Sequence, residues 1–300
     1  MSHASLLSSL SSPAAVFGAP FGLDVLRLIE ALEDRGSAAV YVARDDKQAA
    51  TALKLAQFYR PALEIVRLPG WDVLPYDRVS PSPAVAAARC AALATLAQRA
   101  ANAEPCLVVT TASSLVQRVP PVETMRASSL SVYTGGRIEQ DALTSYLSIN
   151  GYIRVASVSE KGEYSIRGGK VDIFPPTGDE PVRLDLFGDE IETIKAFDPE
   201  TQLSTRTLQR VALAPVSEIL FNEQTLALFR ERYLAELGSP VGDPMYEAAR
   251  AEIRRGGIEG WLPLFHSRLD TLFDYLGGSA LIGMGALSAE AASERLAQAP

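Results

Sequence analysis

Short apolar runs alternate with longer amphipathic stretches over the first part of the chain. Phe21 to Leu32 sets Leu23, Leu26, Ile29 and Leu32 at helical spacing, which predicts an amphipathic helix. Ser37 to Ala43 is a nearly continuous apolar run, the pattern of a strand buried on both faces of a parallel sheet. Asp45 then opens a second helix to about Phe58, Ile65 to Leu68 reads as a strand, and Ala84 to Ala101 is a long alanine-rich helix suited to close packing. Cys106 to Thr111 repeats the buried-strand pattern, with a short helix starting at Ala112-Ser113-Ser114. Strands alternating with helices predict a doubly wound α/β sheet.

The pattern changes at Ser129. Ser129 to Tyr133 predicts a strand, Gly135-Gly136 a turn and Ile138 to Ile149 a helix, after which Lys161 to Glu200 holds the densest strand pattern in the chain. Three strands are expected there. Tyr164 to Phe174 is the first, interrupted by Gly168-Gly169, where a glycine pair inside a strand marks a bulge or a close backbone approach. Pro181 to Phe187 is the second, and Gly188-Asp189 forms a two-residue hairpin turn into a third that ends near Phe197.

Alternation along the second strand sends Val182, Leu184 and Leu186 to one face and Arg183, Asp185 and Phe187 to the other. The aliphatic side is core. The opposite side carries an arginine and a phenylalanine, residue types enriched at the centres of protein interfaces. A second reading stays open, in which Arg183 pairs with Asp185 or a cross-strand carboxylate and Phe187 covers a satellite core. Past Ala212 the pattern returns to helices, Asn222 to Leu237 and Asp243 to Arg255, separated by Gly238 to Gly242. Ala280 to Met284 then predicts one more buried strand, returning to the first sheet, and a helix begins at Ser288.

A chain of 300 residues, 47% hydrophobic and 21% charged, has room for two packed domains. Its formal net charge of −8 argues against a domain whose own task is gripping phosphate backbones, so weak, nonspecific DNA binding is expected. Cys90 and Cys106 lack metal-like spacing, and His3 and His266 are too few for a histidine-based metal or catalytic centre, so no catalytic residue and no metal site is expected. The start of the chain lacks a basic n-region and a long apolar run, and no stretch approaches a membrane span; a cytoplasmic protein is expected, without membrane partners.

One turn invites a nucleotide, Ala15 to Gly22. A working P-loop needs a lysine and a hydroxyl residue at the helix start, but Gly18 and Gly22 stand only four apart and Leu23-Asp24 occupies the Lys-Ser/Thr place. An acidic residue there repels phosphate. The loop from Pro69 to Pro83 gathers four prolines with Trp71 and Tyr76; its aromatics either staple the loop to the sheet or bind a partner, and stapling is the expectation.

The run G-E-Y-S-I-R-G-G-K-V-D-I-F-P followed by P-V-R-L-D-L-F-G-D-E-I-E-T-I-K-A-F-D resembles the second domain of the bacterial transcription-repair coupling factors. That domain is shared with UvrB, the damage-verifying component of the excision nuclease. L-P-G-W-D-V-L-P-Y-D is similar to the coupling factors' first domain, and G-I-E-G-W-L-P-L-F, from Gly257, to an element of both families in which Glu259 is expected to fix the loop rather than perform chemistry. The resemblance implies a degenerate P-loop-NTPase-like parallel sheet with helices on both faces over residues 1–125 and 213–300. An inserted small α+β domain, rich in antiparallel strands, occupies residues 126–212. It further implies docking of UvrA, another component of the excision nuclease, through Arg167, Arg183 and Phe187. No cofactor is implied for this chain: in the full-length family ATP and magnesium belong to a DNA translocase motor, and RNA polymerase and DNA are engaged by domains whose motifs are not found here. The alternative, an active ATP-dependent, damage-verifying domain of the UvrB type, would need the missing lysine.

Overall fold

The computed structural model describes residues 20–35, 38–74, 77–99, 104–277 and 280–298. Its strands in chain order are β1 (Ala38–Ala43), β2 (Glu64–Leu68), β3 (Cys106–Thr111), β4 (Leu130–Tyr133), β5 (Ile153–Arg154), β6 (Glu163–Arg167), β7 (Lys170–Ile173), β8 (Val182–Phe187), β9 (Glu190–Phe197), β10 (Ser204–Leu208), β11 (Arg210–Leu213) and β12 (Leu281–Met284). Contacts divide the chain into one unit of Met1–Trp71, Gln98–Val119 and Asp270–Pro300 and a second of Asp72–Ala97 and Pro120–Leu269.

The first unit holds a parallel sheet of order β12-β1-β3-β2 flanked by helices. Val40, Val42, Val108 and their neighbours Ala39, Tyr41 and Val109 are all buried, so both parities of β1 and β3 are core, as a continuous apolar run requires. Helices Leu23–Arg35 and Asp46–Tyr59 pack Val25, Ile29, Leu32, Ala49 and Ala52 onto the sheet. Asp45 is the N-cap of the second of these, accepting from Gln48 N. The last strand does return to this sheet, pairing Ala39 with Leu281, yet it is an edge strand whose Ile282 and Met284 face solvent rather than the buried strand expected. An edge position leaves it a neighbour on one side only. The Ala15 to Gly18 part of the degenerate turn, Ser37, Tyr76 and Ala101 lie outside the described residues.

The second unit is built on a six-stranded sheet of order β10-β9-β8-β7-β6-β5, antiparallel apart from the short β5-β6 pair. One face packs Val171, Ile173, Val182, Leu184, Ile191 and Ile194 against Leu143 and Leu147 of helix Gln140–Ile149. Each such side chain contributes about 1.5–3 kcal/mol by leaving water. β4 and β11 pair antiparallel, Leu130 opposite Leu213, so the chain enters and leaves this β-rich part side by side. Helices Glu223–Leu237 and Pro244–Arg250 enclose an aromatic cluster in which Phe229 stacks on Phe265 at 4.5 Å and Tyr233 on Trp261 at 5.5 Å. The second helix is shorter than its apolar pattern suggests, because Glu252 takes φ +59°. Helix Pro83–Gln98 joins this unit through a buried ion pair, Arg89 Nε to Glu218 Oε1 at 2.6 Å.

Candidate docking face

Two glycine turns at one end of the six-stranded sheet position the candidate residues. Arg167 pairs directly with Lys170 across Gly168-Gly169, so β6 and β7 form a hairpin and the expected single bulged strand is in fact two. Apolar positions shift parity from Tyr164 and Ile166 to Val171 and Ile173, and a bulge and a two-residue turn both produce that shift. Backbone geometry decides between them. Gly168 takes φ +60°, which reverses the chain, and a Cβ on Gly169 would stand 2.5 Å from the Leu186 carbonyl oxygen. The close approach carries a hydrogen bond, Leu186 N donating to Gly169 O at 2.7 Å. Gly188, at φ +63°, opens the second turn as expected, with Phe187 opposite Glu190.

Register then assigns the outer face. Arg167, Lys170, Asp185 and Thr193 stand in one row across four strands, and Ser165, Asp172, Arg183 and Lys195 in the next. With strands about 4.8 Å apart and residues rising about 3.3 Å, Arg167 lies about 10 Å across from β8 and Phe187 about 13 Å along from Arg183. The three candidates therefore share one face as the corners of a triangle, with Lys170 and Asp185 between them.

Arg183 is held firmly. Its Nε donates to Asp172 Oδ1 at 2.7 Å and its Nη2 to Oδ2 at 2.9 Å, while its guanidinium carbon lies 4.8 Å from the centre of the Phe197 ring. The Asp172 hydrogen bonds push the guanidinium pKa further up. The arginine's partner is thus the cross-strand carboxylate rather than Asp185, which accepts from Thr193 Oγ1 at 2.7 Å and meets Lys195 and Lys170 at 3.7 and 3.9 Å. Arg167 is exposed and donates to the Ala156 carbonyl. Phe187 is 75% exposed and roofs no satellite core. That core exists, but Phe197, Phe174 and Val158 make it.

Across the two rows four cations, Arg167, Lys170, Arg183 and Lys195, face two anions, Asp172 and Asp185, so this surface is locally positive in a chain of net charge −8. An exposed aromatic ring on the same face as these cations fits an acidic partner with an apolar socket. Asp172, Lys170 and Lys195 were not apparent from the sequence, since their rows depend on the registers of β7 and β9 against β8. The parity shift at Gly168-Gly169, taken as a hairpin, would have put Lys170 and Asp172 on the outer face, whereas Lys195 depends on the separate pairing of β9 with β8.

The other sequence candidates are structural in character. Asp24 Oδ1 accepts from Gly22 N at 3.0 Å and Val25 N at 2.9 Å, and its Oδ2 accepts from Tyr41 Oη at 2.7 Å, so a carboxylate occupies the amides at that helix start. Burial and Asp24 together push the Tyr41 hydroxyl pKa well up. Glu259 Oε2 accepts from Ser80 Oγ at 2.6 Å, and Ser80 Oγ accepts from Gly257 N, tying two loops together. His266 is buried with Nε2 3.1 Å from the Glu218 carbonyl, and burial pulls its pKa below the ordinary value. Trp71 is partly buried, its N donating to Gln117 Oε1 at 3.5 Å. Among the described residues no group of three or more His, Cys, Asp or Glu is placed to hold a metal ion.

Residues 130–219, which begin at β4 and run past β11, match the UvrB interaction domain. The transcription-repair-coupling factor of Escherichia coli is 32% identical over 260 residues, covering 85% of this chain and 22% of that protein. That of Haemophilus influenzae is 32% identical over 257 residues, with 85% and 22% covered. That of Myxococcus xanthus is 36% identical over 222 residues, with 72% and 18% covered. The chain spans about a fifth of the length of the curated relatives it matches. On this similarity, and on a parallel α/β sheet joined in one chain to an antiparallel unit that matches the UvrB interaction domain, the chain belongs to the bacterial transcription-repair-coupling factor family, as a UvrB-like amino-terminal module.

Proposed function

We propose that this chain recruits the nucleotide excision repair machinery to lesions where RNA polymerase has stalled, by docking UvrA of the excision nuclease on the outer face of the six-stranded sheet. The observation that carries this reading is Phe187, a large ring left 75% exposed at a hairpin corner on the same outer face as Arg183 and Arg167. Phe187 is the anchor and Arg183 the charged partner for acidic residues, with Arg167 joining from β6. The work is cytoplasmic. In the full-length family, RNA polymerase and DNA are engaged, and the polymerase displaced, by an ATP- and magnesium-dependent translocase in other domains. This chain itself neither binds ATP tightly nor hydrolyses it, a reading supported by the Asp24 carboxylate on the helix-start amides.

Titration of the chain with purified UvrA tests the docking. Phe187→Ala is expected to weaken binding about thirtyfold, roughly 2 kcal/mol, with the melting temperature unchanged. Unchanged affinity in folded protein ends the assignment. For the nucleotide, calorimetric titration with Mg-ATP is expected to give no heat of tight binding; a micromolar dissociation constant or measurable turnover refutes the non-enzymatic reading.

A further inference from the structure

Arg183 is a candidate contact whose charge is already engaged inside the fold. Asp172 is buried on β7, opposite Arg183 in the register, and takes both Nε and Nη2 in a two-pronged pair at 2.7 and 2.9 Å. Phe197 lies under the guanidinium at 4.8 Å. The remaining donors are on the Nη1 edge, whose described contact is the Gln202 carbonyl at 3.5 Å, the limit of hydrogen-bond range. A guanidinium fixed along one edge and over one face has a single edge left to offer. A free arginine on an exposed strand would instead sample many rotamers and lose that freedom on binding.

We propose that Asp172 is a positioning residue for docking: by clamping the Nε and Nη2 side of Arg183 against the Phe197 ring, it presents the Nη1 edge, already oriented, to a carboxylate of the partner. Asp172 touches no partner in this account and acts only through Arg183. The inference rests on the docking reading above. It contrasts with the bland role of the pair, in which Arg183 merely neutralises a buried carboxylate and Asp172 has no bearing on binding once the protein is folded.

A double-mutant cycle on the 300-residue chain, read as affinity for purified UvrA with melting temperature recorded for every variant, tests it. Asp172→Asn keeps the shape and one acceptor but loses the charge and the second prong. It is expected to weaken binding about tenfold while Arg183 is present, and to have no further effect in an Arg183→Ala background. Arg183→Gln, which keeps an amide donor for Asp172, replaces Arg183→Ala if the latter does not fold. Asp172→Glu, which restores a carboxylate, is expected to recover part of the lost affinity. Tighter binding by Asp172→Asn overturns the proposal, because it means Asp172 competes with the partner for Arg183; so does a tenfold loss that persists without Arg183, which marks a general effect on the fold. If Phe187→Ala weakens binding and Asp172→Asn does not, positioning fails and docking stands. If Phe187→Ala and Arg183→Ala both bind like the parent, docking fails and positioning with it.

Discussion

The parallel sheet of β12-β1-β3-β2 and the antiparallel sheet of β10 to β5 divide the chain's chemistry unequally. In β1 and β3 both parities are buried, so those strands have no face on which to display a side chain. In β8 the burial alternates, and the face turned away from the core is free to carry Arg183, Asp185 and Phe187. A sheet covered on both sides can act only through its loops and helix ends, and the helix start at Leu23 is occupied by Asp24. A sheet covered on one side offers a rigid surface whose positions are set by backbone pairing. The second arrangement suits recognition of a protein surface, where rigid placement reduces the entropy lost on binding.

Truncation gives the largest test of this difference. Leu184→Ala in β8 is expected to cost about 3 kcal/mol of stability, and Phe187→Ala, three residues on, less than about 0.5 kcal/mol. In β3, by contrast, Val108→Ala and Val109→Ala are each expected to cost about 2 kcal/mol, since both parities are core. Urea unfolding of the four variants checks this, and a cheap position in β3 would break the contrast.

Binding reverses the ranking. Phe187→Ala, neutral for stability, is expected to lose roughly 2 kcal/mol of affinity for UvrA, whereas Val108→Ala and Val109→Ala are expected to leave the affinity of folded protein unchanged. Titration calorimetry on the same proteins reads this directly.

Acidity gives the smallest effect. His266, in the unit of the antiparallel sheet, has a folded pKa below the ordinary value of about 6.5, so the unfolded chain takes up the proton first. Stability is therefore full above about pH 6.5 and falls as pH drops toward the lowered folded value, by at most about 1.4 kcal/mol per pH unit. Among the described residues the parallel-sheet unit carries no histidine. A scan of thermal unfolding from pH 7.5 to pH 5 is expected to show this histidine-linked slope in the antiparallel unit, and His266→Gln to flatten it.

Most of this contrast was legible in the sequence, for a physical reason: continuous apolar runs and strict alternation are direct imprints of two-sided and one-sided burial. Cys106 to Thr111 and Pro181 to Phe187 could be assigned to different sheets on pattern alone. The placement of Arg183 and Phe187 on one outer face followed from the same rule. Identity of the arginine's partner did not follow, because it depends on the register between β7 and β8, which is set across the 174–181 connection and not by the alternation within either strand. The half-exposed state of β12 was hidden for another reason: Ala280 to Met284 is apolar throughout, and being at an edge is a property of the assembled sheet rather than of the strand.

Strand pairing also orders events in time. Every neighbour in the run β6 to β10 is the next strand along the chain, so this sheet closes short loops. The parallel sheet joins Ala39 to Leu281 and Ala38 to Cys106, contacts between segments far apart in the chain that carry a large closure entropy and form slowly. During synthesis the last strand of that sheet leaves the ribosome after all of the antiparallel unit's residues, up to Leu269, have emerged. The proposed docking face is thus ready first, while the unit that frames it in sequence still waits for its closing strand.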